Sequence, residues 1–269
     1  MKIYSVIPSE KPLRGYINSI RMLKSYFYIK NWKQIPRDDF IIDFFLDSGA
    51  FSAWAKKKII NIEEYAEFIK KNENNLTCYA NLDDISDPHK TQSNQDYLES
   101  IGLNPIPVYH YGEPKDILES FLEKGYEYIA LGGMVPISTE QLIPWLNMCF
   151  NRICNERGYP KTKIHGFGMT TRLLIKTYPW YSIDSTSSIM GAAMGRVYTE
   201  TGELDLARKT IISEADKKYI QENFPEFTLQ QLKEEYKKRL ICNIRYMYKL
   251  EKELTENPPI FFNKQGELF

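Results

Sequence analysis

Short apolar runs alternate with amphipathic segments between residues 2 and 188, and this alternation limits the possible folds more than any other feature. The apolar runs are KIYSVI, DFIIDFFLDSG, LTCYANLDD, NPIPVYHYG, YEYIALGG, TKIHGFG and WYSIDSTS. The segments between them place apolar residues three and four positions apart, as in Ile117, Phe121 and Leu122, which is helical spacing. Strands that alternate with helices in this way predict a parallel sheet covered by helices.

The number of apolar runs favours a closed barrel over an open sheet. Seven runs can be counted, and GRVYTE (195–200) is a candidate for an eighth strand. No GxGxxG motif follows the first run, which argues against a dinucleotide-binding fold. A chain of 269 residues also has the length of one (β/α)8 unit. We therefore predict the α/β class and a (β/α)8 TIM-type barrel over residues 1–205.

The pattern changes after Gly202, where two segments with helical spacing follow. They are SEADKKYIQENFP (213–225) and TLQQLKEEYKKRLICNIRYMYKLEKELTEN (228–257). We predict a C-terminal helical extension over residues 206–269 that packs on the barrel. From Lys233 to Lys252 there are seven Lys or Arg and three Glu, an excess of four positive charges. A solvated helix face is the default interpretation, and a phosphate-contacting face is the alternative.

Composition excludes several classes of protein. Lys+Arg 35 balances Asp+Glu 35, so no overall positive charge indicates a nucleic-acid partner, although a local basic face is still open. No stretch approaches the roughly 18 apolar residues of a membrane span, and the N-terminus lacks the apolar core of a signal peptide. The four cysteines form no CxxC pair and the three histidines are scattered. We expect a reduced cytoplasmic protein without disulfides, zinc subdomain, metal or other cofactor.

Polar residues and glycines stand at the ends of nearly all the predicted strands. They are Asp47, Asp83, Asp84, His110, Gly132, Gly133, His165, Gly166, Gly168 and Asp184. In a barrel these ends converge on one face and line one pocket. Paired carboxylates in such a pocket indicate acid/base and nucleophilic chemistry of the glycosidic kind. Aromatic residues nearby, Phe51, Tyr109 and Phe167, favour a planar ring as the ligand.

The stretch YSIDSTSS (181–188) allows two interpretations of Asp184. Asp, Ser and Thr commonly cap helices, and the helix-compatible segment MGAAMG follows. The alternative is a carboxylate displayed at the C-terminal end of a strand, where barrel enzymes hold their reactive groups. The two interpretations are compatible, because hydroxyls and helix N–H groups can hold a reactive carboxylate in its charged form.

Six motifs, in order, resemble elements of the tRNA-guanine transglycosylase superfamily. LDSGAFS (46–52) resembles its DSGGFQ, NLDD (81–84) its FDE, VYHYG (108–112) its VQGG, ALGGM (130–134) its GGLA, HGFG (165–168) its MGVG, and SIDSTSS (182–188) the segment with its nucleophilic aspartate. Each motif is weak alone, and their shared order over residues 41–200 is the specific signal. The DSTS form and the short chain look most like the phage and bacterial branch that inserts 7-deazaguanines into DNA.

Two departures from the tRNA enzymes also favour the DNA branch. Those enzymes carry a zinc site of clustered cysteines and a histidine near the C-terminus, whereas Cys242 stands alone after residue 165 and no histidine follows it. The archaeal tRNA enzymes add RNA-binding domains, for which this chain has no room. In a third departure His110 replaces a glutamine, which predicts either a changed contact with the base edge or the 7-substituent, or a buried histidine with its hydrogen bonds satisfied.

The resemblance implies a double-displacement reaction with two catalytic carboxyl groups. Asp184 would attack C1′ of a deoxyguanosine to give a covalent enzyme–DNA intermediate. Asp47 would protonate the departing guanine and later accept a proton from the incoming 7-deazaguanine, such as 7-cyano-7-deazaguanine. The target base would flip out of the duplex or be single-stranded. The partners are then DNA and a free 7-deazaguanine base, with no cofactor and no membrane.

The resemblance and the motif positions also suggest two sets of binding residues. The expected base-binding residues are Ser48, Phe51, Asp83, Asp84, His110, Gly132, Gly133, Met134, Gly166 and Phe167. The candidates for phosphate contacts near the mouth are Lys56–Lys58, Lys161, Lys163, Arg172, Lys176 and Arg196; the alternative for each is a solvated surface charge. His165 is a core or supporting residue in one interpretation and a site residue in another.

Three other functions remain open from the sequence. A minimal tRNA-guanine transglycosylase would use the same chemistry on RNA. A non-catalytic nucleic-acid-binding relative is disfavoured because both Asp47 and Asp184 are present. A barrel lyase or aldolase would usually show a Schiff-base lysine or a metal constellation at a strand end, and the sequence shows neither. The resemblance also fits a phage-encoded protein that acts in the cytoplasm of a bacterial host.

Overall fold

The computed structural model describes residues 1–200, 202–208 and 212–262, in which strands and helices alternate as the sequence predicts. The strands are β1 (Lys2–Ser5), β2 (Ile20–Ser25), β3 (Ile41–Asp47), β4 (Cys78–Tyr79), β5 (Val108–His110), β6 (Tyr128–Gly132), β7 (Lys163–Gly166), β8 (Ser182–Ser185), β9 (Arg196–Thr199) and β10 (Gly202–Asp205). The α-helices are α1 (Tyr26–Ile29), α2 (Ala50–Ala55), α3 (Ile62–Asn72), α4 (Pro88–Ser100), α5 (Lys115–Glu123), α6 (Thr139–Ile153), α7 (Arg172–Thr177), α8 (Ser187–Ala193), α9 (Glu214–Asn223), α10 (Leu229–Glu234) and α11 (Tyr236–Glu256).

The parallel strands close into a barrel. They pair in the order β4-β3-β2-β1-β8-β7-β6-β5. The two edges meet beyond β4, where the Ile106 N–H donates to the Tyr79 carbonyl (2.9 Å) and the Asn81 N–H donates to the Ile106 carbonyl (2.9 Å). The eight strands of this sheet within the described residues therefore form a (β/α)8 barrel, which confirms the predicted fold class.

The eighth strand of the barrel is not the one that the sequence suggested. The predicted candidate, GRVYTE, contains β9, which pairs antiparallel with β10 in a separate two-stranded sheet. The barrel strand is β2, IRMLKS, which pairs with β1 on one side and β3 on the other. Its apolar residues are interrupted by Arg21 and Lys24, and a 3-10 helix, Lys11–Leu13, is the helical element described between β1 and β2. The alternation of strand and α-helix is therefore absent between β1 and β2, and for this reason the sequence pattern did not predict β2.

Local capping chemistry starts several of the outer helices. The Asn61 side chain accepts from the Glu64 N–H at the start of α3, and Asp87 accepts from the His89 N–H at the start of α4. Ser138 and Gln141 form a capping box at the start of α6. These caps fix where the helices begin, while the parallel pairing of the strands places their C-terminal ends at one end of the barrel.

Alternation of side chains along the strands decides which residues enter the barrel. The interior is filled by a small apolar cluster, namely Tyr4, Leu23, Phe45, Ala80, Ile106, Val108 and Ala130. Residues two positions apart in a strand share a face. Asp47 follows Phe45 by two positions, and His110 follows Val108 by two positions, so both polar side chains point inward above the apolar layer.

The long helix α11 covers the outer face of β1, where the described chain has no α-helix between β1 and β2. The Tyr248 hydroxyl donates to the Ser19 carbonyl (2.8 Å), and the Glu251 carboxylate accepts from the Ile3 N–H (2.7 Å). Apolar side chains of α11, including Leu240 and Ile244, belong to the same buried cluster as barrel residues. The C-terminal helix therefore serves as one of the outer layers of the barrel.

The C-terminal segment predicted as one helix is divided into α10 and α11. Glu235 has φ −104° and ψ 108°, which ends one helix and begins the next. Arg239 stabilises the junction by donating to the carbonyls of Leu232 (2.8 Å) and Lys233 (2.9 Å) at the end of α10. Residues 209–211 and 263–269 of the predicted extension lie outside the described residues, and the boundary at residue 205 stays a prediction. No helix in the described ranges has the length and apolar character needed to cross a membrane.

We predict that Asn243→Ala destabilises the whole barrel. Asn243 is fully buried, its Oδ1 accepts from the Tyr198 N–H (2.9 Å), and its Nδ2 donates to the carbonyls of Ser188 and Arg196 (both 3.1 Å). Since the variant leaves these backbone groups buried without partners, the free energy of unfolding should fall by about 2–4 kcal/mol. Urea denaturation followed by circular dichroism measures it, with exposed Lys252→Ala as the control. A loss no larger than that of the control would contradict the role of α11.

Candidate active site

Inward-facing side chains from neighbouring strands meet at the C-terminal end of the barrel. Asp47 ends β3, Asp184 lies in β8, and His165 lies in β7. Asp83 follows β4, and His110 ends β5. The negative charges of Asp83 and Asp184 both act on Asp47, which shows that the three carboxyl groups share one site. The structure thus brings together both predicted catalytic residues and the main predicted base-binding acid.

Asp184 is buried, and one of its oxygens is held by two groups of β7 and the loop after it. Oδ1 accepts from the Gly168 N–H (2.9 Å) and lies 3.2 Å from Nε2 of His165. Within the described residues, the opposite oxygen, Oδ2, has no hydrogen-bond partner. The carboxylate is therefore fixed in orientation, with one oxygen left available for reaction.

His165 is completely buried and links Asp184 to the interior of the barrel. Burial lowers the pKa of His165, and the adjacent Asp184 raises it only in part, so the imidazole is neutral. Nδ1 lies 2.6 Å from the Ser182 hydroxyl, which is itself hydrogen-bonded to the Tyr128 hydroxyl. The consistent arrangement has the Ser182 hydroxyl donating to Nδ1 and the Nε2–H of His165 donating to Asp184.

The capping interpretation of Asp184 is wrong. Asp184 belongs to β8, and α8 begins three residues later at Ser187. The Ser185 hydroxyl, rather than Asp184, accepts from the Ser187 N–H (3.1 Å). The expectation that the hydroxyl run and the helix N–H groups would hold the carboxylate is also wrong, because Gly168 and His165 hold it.

Asp47 is the acid of the site with an altered proton affinity. Burial, and then the charges of Asp83 and Asp184, raise the pKa of Asp47 to about 8, although the Gly49 N–H and the Ser25 hydroxyl oppose the shift. Asp47 is therefore mainly protonated at pH 7 and can donate a proton. A protonated carboxyl group beside a carboxylate is the arrangement in which two acids take the separate roles of acid and nucleophile.

A charged triad of Asp83, His110 and Glu113 lies beside these two acids. His110 Nε2 is 3.0 Å from Asp83 Oδ2, and Nδ1 is 3.1 Å from Glu113 Oε1. Burial opposes protonation, but the contacts with Asp83 and Glu113 outweigh it and raise the pKa of His110 to about 10. The ring is therefore an imidazolium that donates from both nitrogens. The Ser48 hydroxyl donates to the other oxygen of Asp83 (2.7 Å), so Asp83 is oriented on both sides.

Sequence reasoning missed Glu113 and the pair Tyr128–Ser182. Glu113 is three residues after His110, and the turn between them also lets the His110 N–H donate to Glu113 Oε2 (2.8 Å). The sequence shows an acid three positions after a strand-end histidine. It does not show that the turn between them brings the two side chains together. Both ring nitrogens of His110 are occupied, so a direct contact of His110 with a base edge, as predicted, would require the triad to open.

The predicted base-binding glycines serve different purposes. A Cβ on Gly132 would lie 2.9 Å from the His110 ring, so this glycine makes room for the triad. Gly133 has φ +68°, which permits the turn after β6. A Cβ on Gly166 would lie 3.0 Å from the Trp180 ring, so a side chain at this position would face the outer layer; the predicted approach of its backbone to a base stays a prediction.

The other predicted base-binding residues divide between the site and its surroundings. Phe167 packs edge-on against His165, with ring centroids 4.5 Å apart, at the mouth. Met134 lines a cavity of about 190 Å³ between the loops after β6 and β7, beside Gly168. Phe51 is 51% exposed in the first turn of α2, on the outer surface. Asp84 accepts through Oδ1 from the N–H groups of Ser86 and Asp87 in the loop before α4, so this oxygen stabilises the loop, and its part in base binding stays a prediction.

Apart from Lys56–Lys58, which follow α2, the candidate phosphate contacts lie away from the mouth or are already paired. Lys161 and Lys163 stand at the start of β7, at the opposite end of the barrel, which argues against phosphate contacts near the mouth. The other three have partners within the protein: Arg172 donates to the carbonyls of Thr199 and Glu200, Lys176 pairs with Glu253 (2.7 Å), and Arg196 pairs with Glu203 (2.9 Å).

The basic residues of α11 are also largely paired. Arg245 contacts Glu226 (2.5 Å), Lys238 contacts Glu235 (2.7 Å), and Arg239 binds backbone carbonyls. These contacts agree with a structural or solvated helix face rather than a phosphate-contacting one.

The comparisons with known proteins assign no family. The chain matches no protein-family model and has no significant match among curated proteins. Among the described residues, no group of three His, Cys, Asp or Glu is arranged to hold a metal ion. The function of the chain is therefore inferred from the geometry of the site and from the motif resemblance.

We predict that Asp47 loses its proton with a midpoint at about pH 8 in the folded protein. Asp184→Asn removes one of the two repelling charges and should shift this midpoint downward, since the neutral acid is then favoured less. Carboxyl ¹³C chemical shifts of aspartate-labelled protein measure the titration. Asp96→Asn, whose carboxylate is exposed on α4 and pairs with Lys124, is the matched control and should leave the midpoint unchanged. A midpoint near 4 in the unsubstituted protein would contradict the assignment.

Proposed function

We propose that the protein is a transglycosylase that replaces guanine in DNA with a 7-deazaguanine derivative. The observation that carries the proposal is the pair formed by a protonated Asp47 and an oriented Asp184 carboxylate at one barrel mouth. Both residues lie in motifs that resemble those of the tRNA-guanine transglycosylase superfamily. Such a pair suits the exchange of one glycosidic bond for another, which needs an acid and a nucleophile.

In the first half of the proposed reaction, Asp184 displaces guanine from a deoxyribose. Oδ2 attacks C1′ because Oδ1 is already engaged by Gly168 and His165. The bond from C1′ to the purine nitrogen breaks, its electron pair goes to the purine, and Asp47 delivers its proton to the leaving base. The products are an ester between Asp184 and C1′ and a free guanine.

In the second half, the incoming 7-deazaguanine reverses these steps. Asp47, now a carboxylate, accepts the proton from the ring nitrogen of the new base, and that nitrogen attacks C1′. The ester bond breaks, and its electron pair returns to Asp184. Atoms and protons balance over the two halves, so the reaction requires no oxidant or nucleotide.

His165 and Gly168 are positioning groups in this scheme. In the covalent intermediate, Oδ1 is the carbonyl oxygen of the ester, and the same two N–H groups can still donate to it. They therefore bind the carboxylate and the ester without moving, which lowers the reorganisation that the reaction needs. A neutral His165 can donate to both the carboxylate and the ester, whereas a charged His165 would stabilise the free carboxylate more than the ester.

The charged triad supports recognition of the base by Asp83. Ser48 and His110 orient the carboxylate, and its remaining lone pairs can accept from the N1–H and amino groups of a guanine-like edge. His110 acts on the base through Asp83, because its own N–H groups are directed to Asp83 and Glu113.

We predict opposite fates for two isosteric variants in a denaturing gel with a labelled oligonucleotide. Asp184→Asn lacks the nucleophile and should form no denaturant-stable adduct and exchange no guanine, a loss of at least about 1,000-fold. Asp47→Asn keeps the nucleophile but not the acid, so it should slow turnover about 100-fold or more and still permit some adduct. Asp96→Asn, at an exposed position of α4, is the control and should retain activity. An adduct formed by Asp184→Asn would contradict the proposed nucleophile.

We predict that DNA, rather than tRNA, is the acceptor. Radiolabelled guanine or 7-cyano-7-deazaguanine should enter a guanine-containing DNA oligonucleotide and remain absent from tRNA under the same conditions. Nuclease digestion and chromatography of the nucleosides measure incorporation. Equal or faster incorporation into tRNA would instead identify a minimal tRNA enzyme, and incorporation into neither would overturn the proposed activity.

A further inference from the structure

An exposed aromatic and basic surface lies beside the mouth of the barrel on α1, α2 and the loop after α2. Its members are Tyr28, Phe51, Trp54, Lys56, Lys57 and Lys58, and we call it the α1–α2 surface. The inference below rests on the proposed function, and it concerns the part of the substrate that does not react.

The aromatic rings of this surface are unusually open to solvent. Tyr28, Phe51 and Trp54 are 61%, 51% and 57% exposed, and the rings of Phe51 and Trp54 lie 6.0 Å apart with planes 32° from parallel. Large apolar side chains that are exposed together indicate a binding surface more often than isolated ones do. More than half of the surface of Phe51 and of Trp54 is therefore open to a ligand.

The positive charges on this surface have no carboxylate partner among the described residues. Lys56, Lys57 and Lys58 are exposed, and no ion pair involves them in the described part of the chain. Lys56 Nζ lies 4.7 Å from the centroid of the Tyr28 ring, so charge and ring form one surface. The lysines of the mouth thus differ from Lys176 and Arg196, whose charges are paired with Glu253 and Glu203.

Backbone geometry fixes this surface next to the reactive acids. Phe51 is four residues after Asp47, and the intervening Gly49 has φ +82°. A Cβ on Gly49 would lie 2.3 Å from the Ser25 hydroxyl oxygen and 2.6 Å from Phe27 Cβ, so only glycine lets α2 pack this closely on α1. The turn that presents Asp47 therefore also aligns the aromatic rings beside the mouth.

We propose that the α1–α2 surface binds unpaired nucleotides that flank the target deoxyguanosine, with bases stacked on the rings and phosphates near the lysines. Stacking on exposed aromatic rings beside a basic track is how proteins bind single strands without reading sequence. The occupant is nucleic acid because exposed rings and unpaired cations complement bases and phosphates together. The preferred substrate is then single-stranded or locally opened DNA, which also avoids the cost of flipping a paired base.

The experiment compares three sets of substitutions in the full-length chain. Phe51→Ala/Trp54→Ala removes the stacking faces, Lys56→Gln/Lys57→Gln/Lys58→Gln removes the charges, and Lys161→Gln/Lys163→Gln at the opposite end is the control. Exchange of labelled guanine is measured on one guanine-containing oligonucleotide, both single-stranded and fully paired. We expect the aromatic variant to raise KM for the single strand about 10-fold or more with little change in kcat, because the reacting groups are untouched.

The contributions of charge and of stacking to binding should be distinguishable from the salt dependence of KM. The lysine variant should weaken binding and flatten the dependence of KM on salt, since fewer counterions are released, whereas the aromatic variant should leave that slope unchanged. The control should match the unsubstituted protein in both measurements. Oligonucleotide binding should also quench tryptophan fluorescence, and Trp54→Phe should remove most of that quenching.

Several outcomes would overturn the inference without touching the proposed function. One is that the aromatic and lysine variants still exchange guanine and that neither changes KM or the dependence of KM on salt. Another is an equal KM for the fully paired duplex and the single strand. A third is loss of a dimer in sedimentation experiments with unchanged KM, which would identify a second copy of the chain as the occupant. If guanine is exchanged into no nucleic acid, the proposed function is overturned. If oligonucleotides then also fail to quench the fluorescence of Trp54, the proposed binding by the α1–α2 surface is overturned as well.

Discussion

Repulsion among carboxyl groups is the constraint on which the mouth of the barrel is built. Asp47, Asp83, Glu113 and Asp184 come together there because inward-facing positions at parallel strand ends converge. Each acid is accommodated differently. Asp47 keeps its proton, Asp83 and Glu113 share an imidazolium, and Asp184 accepts from a backbone N–H and a neutral histidine. The differences between these acids therefore arise from their neighbours.

The two histidines of the site hold opposite protonation states for the same reason. His110 lies between two carboxylates, whose attraction outweighs burial, whereas His165 faces one carboxylate and one hydroxyl in a fully buried position. The site also affects folding. Because the pKa of Asp47 is raised from 3.8 to about 8, the folded chain binds a proton that the unfolded chain releases between these values. Asp47 therefore lowers stability as the pH rises through this window, and its contribution is constant above about 8.

Much of the barrel could be predicted because its signal is local, whereas several site details depend on the direction of chain turns. Alternating apolar runs identified seven barrel strands, and the acids at their ends identified Asp47 and Asp184. Strand β2 was missed because no amphipathic helix separates it from β1. Asp83 and Asp84 are adjacent, and only the loop conformation decides that Asp83 faces the mouth. The sequence alone could have placed Lys163 away from the mouth, because a residue that begins a barrel strand lies at the opposite end of the barrel.

The cover that α11 provides for β1 has a consequence for the order of folding. The first strand is paired along β8, and its outer face is held by side chains such as Glu251, some 248 positions later in the chain. As the polypeptide emerges from the ribosome, β2 is available early to one edge of β1, but the other edge waits for β8 and the outer face waits for α11. Contacts of such long sequence separation make folding slow and leave an apolar strand accessible to chaperones or to aggregation meanwhile. Completion of the barrel is thus a late event, which couples the assembly of Asp184 in β8 to the arrival of the last helix.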